Sequence, residues 1–202
     1  MAISADPLNI VICGVGGQGN ILLSGMVGGA FLKKGFYATI GETFGAAQRG
    51  GAVFSAVRIS KKREYGPLIP DGKAHLILGL EPLETLRMVQ KYANPETVCI
   101  SNVHPVVPAG VSAGREAYPD IADLKAAVSA LCKKAWFLDA TDIALELKAP
   151  IAMNIVMVGA LLGTNQLPLN EEDIKAELQE NLPPDRLALN YEALARGKKA
   201  VA

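Results

Sequence analysis

The loop Gly14-Val15-Gly16-Gly17-Gln18-Gly19 follows an apolar run and precedes a stretch of helical periodicity. Gly14, Gly16 and Gly19 match G-x-G-x-x-G in the strand-to-helix setting the fingerprint requires. Glycine permits the tight turn, and the first amides of the helix can face a phosphate. Glu42 ends the next apolar run, near the position from which an acid grips a ribose. One reading is an NAD site, and with it a free-standing Rossmann dehydrogenase. The other is that the glycines serve close strand–helix packing or receive a second chain.

A second cluster is Thr43, Gly45, Gln48, Arg49, Gly50 and Gly51, one guanidinium amid permissive backbone. Arginine there can fork onto a phosphate or carboxylate; equally, it can tie down a glycine loop. Glu81 is expected at the carboxyl end of a strand, where it acts chemically or favours the next helix through its dipole. Asn154 stands in an apolar run, and a buried amide needs partners; it holds a loop or touches a ligand. His75 and His104 are not spaced as a metal pair. His75 opens an apolar strand and reads as structural, while His104 lies in a proline-bearing loop. Cys13, Cys99 and Cys132 are far apart with no CxxC, so no zinc or cluster ligand set is written here. All three read as core cysteines, and their sparse, odd count points to a reducing compartment. The sequence shows no nucleophile elbow and no acid/base pair.

The elements that must position these residues follow from periodicity. Strands are expected at 9–13, 36–41, 52–59, 74–80, 97–102 and 135–139. Helices are expected at 20–34, 81–92, 121–134, 141–148, 151–162, 170–181 and 185–199, with 103–119 as loop. Gly35 closes the first helix, and Pro82 suits the first turn of the second. The 151–162 helix is apolar nearly all round, hence buried or at an interface. The pattern is α/β: a single Rossmann-like domain with a largely parallel sheet flanked by helices, plus C-terminal helices. Both glycine clusters should lie outside the carboxyl ends of the strands. The two charged terminal helices are read as leaving the domain to clasp a partner.

Composition removes several classes. Twenty basic residues balance twenty acidic ones, and aromatics are 5%, so nothing points to nucleic acid. The start, 1–8, lacks a basic stretch before an apolar run and is not read as a signal peptide. The apolar run 151–163 is too short to cross a bilayer. A cytoplasmic protein without membrane contact is expected.

Taken in order, Gly14–Gly19, Gly41-Glu-Thr-Phe-Gly-Ala-Ala-Gln-Arg-Gly-Gly51, Tyr65-Gly-Pro-Leu-Ile-Pro70 and Ala74 to Glu84 resemble the gamma-type subunit of 2-oxoacid:ferredoxin oxidoreductases. The Gln-Arg-Gly-Gly and Leu-Glu-Pro-Leu-Glu runs are most similar to the indolepyruvate beta subunit. The resemblance runs from about Asn9 to Leu162. It implies a gamma-type domain over 8–166 and a helical extension over 167–202. It implies a hetero-oligomer whose partner subunit holds thiamine diphosphate and [4Fe-4S] clusters. That complex would convert a 2-oxoacid to an acyl-CoA, with coenzyme A as cosubstrate, and reduce ferredoxin. This chain would bind no cofactor alone and carry no catalytic residue. Gly14, Gly16, Gly17, Gln18, Gly19, Glu42, Thr43, Gln48, Arg49, Gly50, Gly51 and Asn154 would face the ligand or the interface, with Arg49 as the anion contact. Phe44 and Ala46-Ala47 stand where indolepyruvate subunits tend to have His and Met-Ser, which leaves a branched or other 2-oxoacid open.

Overall fold

The computed structural model describes residues 3–107 and 117–201. The strands are β1 (Leu8–Val15), β2 (Tyr37–Glu42), β3 (Ala52–Ser60), β4 (Leu76–Gly79), β5 (Val98–Asn102) and β6 (Lys134–Leu138). The helices are α1 (Asn20–Lys33), α2 (Pro82–Tyr92), α3 (Ile121–Leu131), α4 (Ala140–Glu146), α5 (Met153–Gly163), α6 (Glu171–Asn181) and α7 (Pro184–Lys199). Each expected element is present, shifted by a few residues at most. Of the loop expected at 103–119, residues 108–116 lie outside the described residues.

The strands form one sheet in the order β2-β3-β1-β4-β5-β6. β1, β4, β5 and β6 run parallel, whereas β3 is antiparallel to both β1 and β2. The cause is local. Residues 43–51 carry no crossover helix of the length a parallel return needs, so β3 folds straight back along β2. It then inserts between β2 and β1, pairing with β1 from Leu8↔Ile59 to Val15↔Ala52.

Alternation along the strands sends side chains to two covered faces. Ile10, Ile12, Val57, Ile59, Leu78 and Ile100 form one core with α1, α5, α6 and α7. Val11, Cys13, Ala56, Ile77 and Cys99 form the other with α2 and α3. On that second face the 65–70 strap crosses the sheet: Arg58 donates to the carbonyls of Gly66 and Leu68, each at 2.9 Å.

The terminal helices do not leave the domain. α6 packs on α1, where Lys33 meets Glu177 at 2.7 Å and Lys34 meets Asp173 at 2.8 Å. α7 lies along α5 so closely that only glycine fits at the crossing. A Cβ on Gly159 would come 2.0 Å from the Leu194 carbonyl, and one on Gly197 would come 1.9 Å from that of Val156. This accounts for the all-round apolarity of α5, whose neighbours are β5, α1, α4 and α7. From Met153 to Leu162 it is buried within the chain.

Candidate functional site

At the carboxyl end of β1 the chain turns through Val15–Gly19 into α1. Gln18 turns inward: its Oε1 accepts from Val15 N at 2.7 Å, and its Nε2 donates to the Leu80 carbonyl at 3.1 Å. The glutamine therefore staples the glycine loop to the end of β4 rather than presenting its amide outward. Gly19 has φ 90°, a conformation that favours glycine. The Asn154 Nδ2 sits 2.4 Å from where its Cβ would be. Asn154, in the first turn of α5, thus lies against the glycine loop, while its Oδ1 accepts from Ile155 N at 2.8 Å.

The 43–51 connection folds over this loop. Thr43 closes the hairpin, its Oγ1 accepting from Phe54 N at 3.1 Å, and Gln48 Nε2 donates to the Thr43 carbonyl at 2.9 Å. Gly16 N donates to the Gly51 carbonyl at 2.8 Å, and Gly50 N donates to the Gly16 carbonyl at 3.3 Å. A Cβ on Gly16 would meet the Gln48 backbone at 2.4 Å. The two glycine clusters, distant in sequence, therefore lock together by backbone. Arg49 rides on the outside, exposed. Its side chain makes no hydrogen bond or ion pair with a described residue.

Beneath the two loops is a cavity of about 250 Å³, lined by Gly16, Gly19, Asn20, Glu42, Thr43 and Phe54 among others. Asn20 was not singled out in the sequence. Its Nδ2 donates to the Val53 carbonyl at 3.2 Å, while its buried Oδ1 has no partner among the described residues. An Asn directly after the last glycine of the loop was the available signal. Glu42 accepts from the Ser24 hydroxyl at 2.9 Å. With β3 interposed, β2 lies one further strand spacing, about 4.8 Å, from β1. The Gly16 amide already serves Gly51, and residues 47–51 cover the glycine turn. Both features oppose a dinucleotide laid along β1 with its ribose on Glu42.

The crest of β4 and β5 is a buried polar cluster. Asn102 Nδ2 donates to the Leu80 carbonyl, the acceptor that Gln18 also uses, and to Thr141 Oγ1, each at 3.1 Å. Glu81 is fully buried. It caps α2 by accepting from Glu84 N at 2.8 Å, and its other oxygen accepts from the Tyr118 hydroxyl. Burial pushes the Glu81 carboxyl above its ordinary range; the hydrogen bonds from Tyr118 and from the amides of Glu84, Val106 and Leu83 pull it back in part. The folded chain therefore holds this proton more tightly than the unfolded one. Its contribution to stability must fall as pH rises from the ordinary glutamate range through the raised value. Glu81→Gln should flatten that limb. Urea midpoints of both chains between pH 4 and 7 check it, and identical slopes would count against the raised carboxyl.

The remaining candidates are scattered. His75 Nδ1 accepts from Asn9 N at 2.9 Å, a structural bond at the amino-terminal end of the sheet. His104 lies 3.7 Å from Asp139 beyond the carboxyl ends. Cys13 and Cys99 are buried and Cys132 is half-buried. Among the described residues, no group of three or more His, Cys, Asp or Glu is placed to hold a metal ion. No helix among them is long and apolar enough to cross a membrane.

Comparison with known proteins adds to this geometry. The family model described as pyruvate ferredoxin/flavodoxin oxidoreductase matches residues 9–200. The indolepyruvate oxidoreductase subunit IorB of Thermococcus kodakarensis is 37% identical, with 95% of each chain covered. Among solved structures, the 2-oxoglutarate:ferredoxin oxidoreductase of Magnetococcus marinus, with 2-oxoglutarate, coenzyme A and succinyl-CoA bound, has a TM-score of 0.75 at 21% identity. The match covers 98% of the present chain, which spans 31% of that one. Pyruvate oxidoreductase subunit PORC of Thermotoga maritima has a TM-score of 0.66 at 22% identity, with 97% of each chain covered. These two likenesses establish the fold.

Proposed function

The chain belongs to the pyruvate ferredoxin/flavodoxin oxidoreductase family as a gamma-type subunit, and from that premise we propose that it closes the reaction site of an indolepyruvate-type complex without carrying that site. In this reading a partner subunit holds thiamine diphosphate and [4Fe-4S] clusters, which supply decarboxylation of the 2-oxoacid and electron transfer to ferredoxin. Coenzyme A takes the acyl group. The present chain contributes a rigid lip: the Gly14–Gly19 turn and the 43–51 loop, stapled together and crowned by Arg49.

The observation that carries this reading is Arg49, without a partner among the described residues, on a loop whose other members are bound to one another. A guanidinium held there by backbone, with its donors unspent, fits a phosphate of coenzyme A or a carboxylate. Glu42 faces the cavity beneath, so an anion is better placed on the outer, Arg49 side. Phe44 on the same loop is 77% exposed and offers an aromatic face to an aryl 2-oxoacid. The 37% identity to an indolepyruvate oxidoreductase subunit supports the same class.

The test is purification of the tagged chain from its native host without oxygen. A coloured partner with thiamine diphosphate and iron–sulfur clusters should co-purify, and the complex should reduce ferredoxin with indolepyruvate and coenzyme A. Arg49→Ala should leave assembly unchanged and raise the KM for coenzyme A roughly tenfold or more, as expected when a charged hydrogen bond of about 1.5–3 kcal/mol is lost. A lone, colourless chain stabilised by NADH would overturn the reading. A complex that prefers a branched 2-oxoacid would keep the subunit role and refute the aryl substrate.

A further inference from the structure

The sheet has two edges, and they are finished differently. β6 opens on Lys134, directly after Lys133, and the Lys134 ammonium lies over the Trp136 ring at 4.3 Å. Charge of this kind keeps a bare strand edge from pairing. β2, at the other edge, has no lysine, arginine or proline from Tyr37 to Glu42. Its ladder shows which backbone groups are left over. Thr43 N donates to the Phe54 carbonyl at 3.1 Å, and the register sets Gly41 against Ala56 and Thr39 against Arg58. Hydrogen-bonded pairs recur at every second residue of an antiparallel ladder, so Tyr37, Thr39, Gly41 and Thr43 serve β3. Ala38, Ile40 and Glu42 therefore turn their amides and carbonyls outward, where no described residue takes them.

The helix over this edge is unguarded as well. α1 has no charged residue before Lys33, and its Ile21 and Leu32 are 51% and 56% exposed. At 3.6 residues per turn the two share one side of the helix. Next to that side lie Ser24 and Gly28, which meet Glu42 and Ile40 of β2. Gly29, which meets Glu177 of α6, lies on the other flank. The Ile21 and Leu32 side thus looks out past β2, away from α6. Gly28 marks the level of Ile40, since a Cβ there would stand 2.9 Å from Ile40 Cδ1. Ile21 precedes that level and Leu32 follows it.

We propose that the chain forms a two-fold dimer through β2 and α1, with a second copy of itself as the occupant of this edge. The dyad stands perpendicular to the sheet, between the two Ile40 residues. Ile40 then pairs with Ile40 of the second copy, and Ala38 pairs with Glu42 of the second copy. Every outward amide of both strands finds an outward carbonyl. The same dyad passes near Gly28, sets the two α1 helices antiparallel on one face, and brings Ile21 of each toward Leu32 of the other. One axis serving both elements is the mark of an isologous contact. A six-residue strand edge alone falls short of the ~800 Å² per partner typical of a stable pair, and the α1 side extends it. Because the strands run antiparallel across the dyad, the two Gly14–Gly19 turns lie at opposite ends of the joined sheet.

The test is sedimentation equilibrium of the full chain at micromolar concentration, joined to residue-resolved amide exchange. The wild type should show twice the chain mass. Its Ile40 and Glu42 amides should exchange slowly, as those of Thr39 and Gly41 do within the β3 ladder. Ala38→Pro removes one outward amide and leaves the bonds to β3 in place. Leu32→Lys puts a charge on the exposed side of α1. Each should weaken the dimer roughly tenfold or more, because the loss counts on both sides of the dyad. In Leu32→Lys the Ile40 and Glu42 amides should exchange fast while Thr39 and Gly41 stay protected. Leu131→Lys, at the exposed end of α3 on the other face, should leave the dimer intact. A monomeric wild type, its edge reserved for a different subunit, overturns the proposal. So does a dimer that both edge variants leave intact, or one in which Ile40 exchanges as fast as in Leu32→Lys.

Discussion

Gly197→Ala should lower the melting temperature by about 4–8 °C, against the direction that helix propensity dictates. Alanine is the better helix former by ~1 kcal/mol, so in a solvated helix the change would stabilise. Here the new methyl would lie 1.9 Å from the Val156 carbonyl oxygen and 3.0 Å from Ala160 N. Both are backbone atoms of α5 and cannot rotate aside, so α5 and α7 must move apart. Overpacking of this kind costs about 1–3 kcal/mol, and a backbone partner places the site at the upper end. Subtracting the propensity gain leaves about 2 kcal/mol, and a chain of this size loses roughly 2–4 °C per kcal/mol. Gly25→Ala is the matched control. It lies in α1 with nothing within 4 Å of an added methyl, and it should raise the melting temperature. If Gly197→Ala also raised it, the close crossing of α5 and α7 would be wrong.

That crossing marks where the sequence is mute. α7 reads as an amphipathic, charged helix, and nothing in its periodicity says whether its apolar stripe meets this chain or another. The reading that it leaves the domain failed because the decisive signal is relational: Gly159 and Gly163 on one helix match Gly197 on the other, and each glycine alone looks like a weak helix position. The strands were legible for the opposite reason. Apolar runs bounded by glycine, proline and polar turns report burial on both faces directly, and the order of strands and helices gave the α/β class. Strand direction was less accessible. β3 carries the same apolar pattern whether parallel or antiparallel, and only the missing crossover between 43 and 51 betrays it.

The same split runs through the site. The glycines of both loops were legible as positions needing permissive backbone, and Arg49 as a guanidinium set among them. What they do was not, because G-x-G-x-x-G is satisfied equally by a phosphate and by the chain's own carbonyls. The structure supplies the second partner: the Gly51 carbonyl takes the Gly16 amide. Asn20 and Tyr118 escaped notice because their roles depend on long-range neighbours, the Val53 carbonyl and the Glu81 carboxyl. Gln18 was noticed for fitting the family but acts as a staple to Leu80.

Gly16→Ala separates the locked-loop account from a simple requirement for a flexible turn. A methyl at position 16 would stand 2.4 Å from the carbonyl carbon and oxygen of Gln48 and 2.5 Å from the Ala47 oxygen, so the 43–51 loop must lift. The sheet beneath is untouched, since Gly16 lies beyond the last residue of β1. Global stability should therefore fall by no more than the cost of opening this loop, while the loop opens more often. If the clash raises the closed state by about 1–3 kcal/mol, the open population grows roughly five- to hundredfold, and trypsin cleavage after Arg49 should accelerate in proportion where opening is fast relative to cleavage. Gly17→Ala is the comparison. Its φ is 103° with open space around the added methyl, so it strains the turn by about 1–2 kcal/mol without pushing on residues 47–51. It should lower stability by a comparable amount and speed cleavage after Arg49 less. Were both variants cut at the wild-type rate, the two glycine clusters would not be holding each other, and Arg49 would lose the rigid platform from which it is argued to meet an anion.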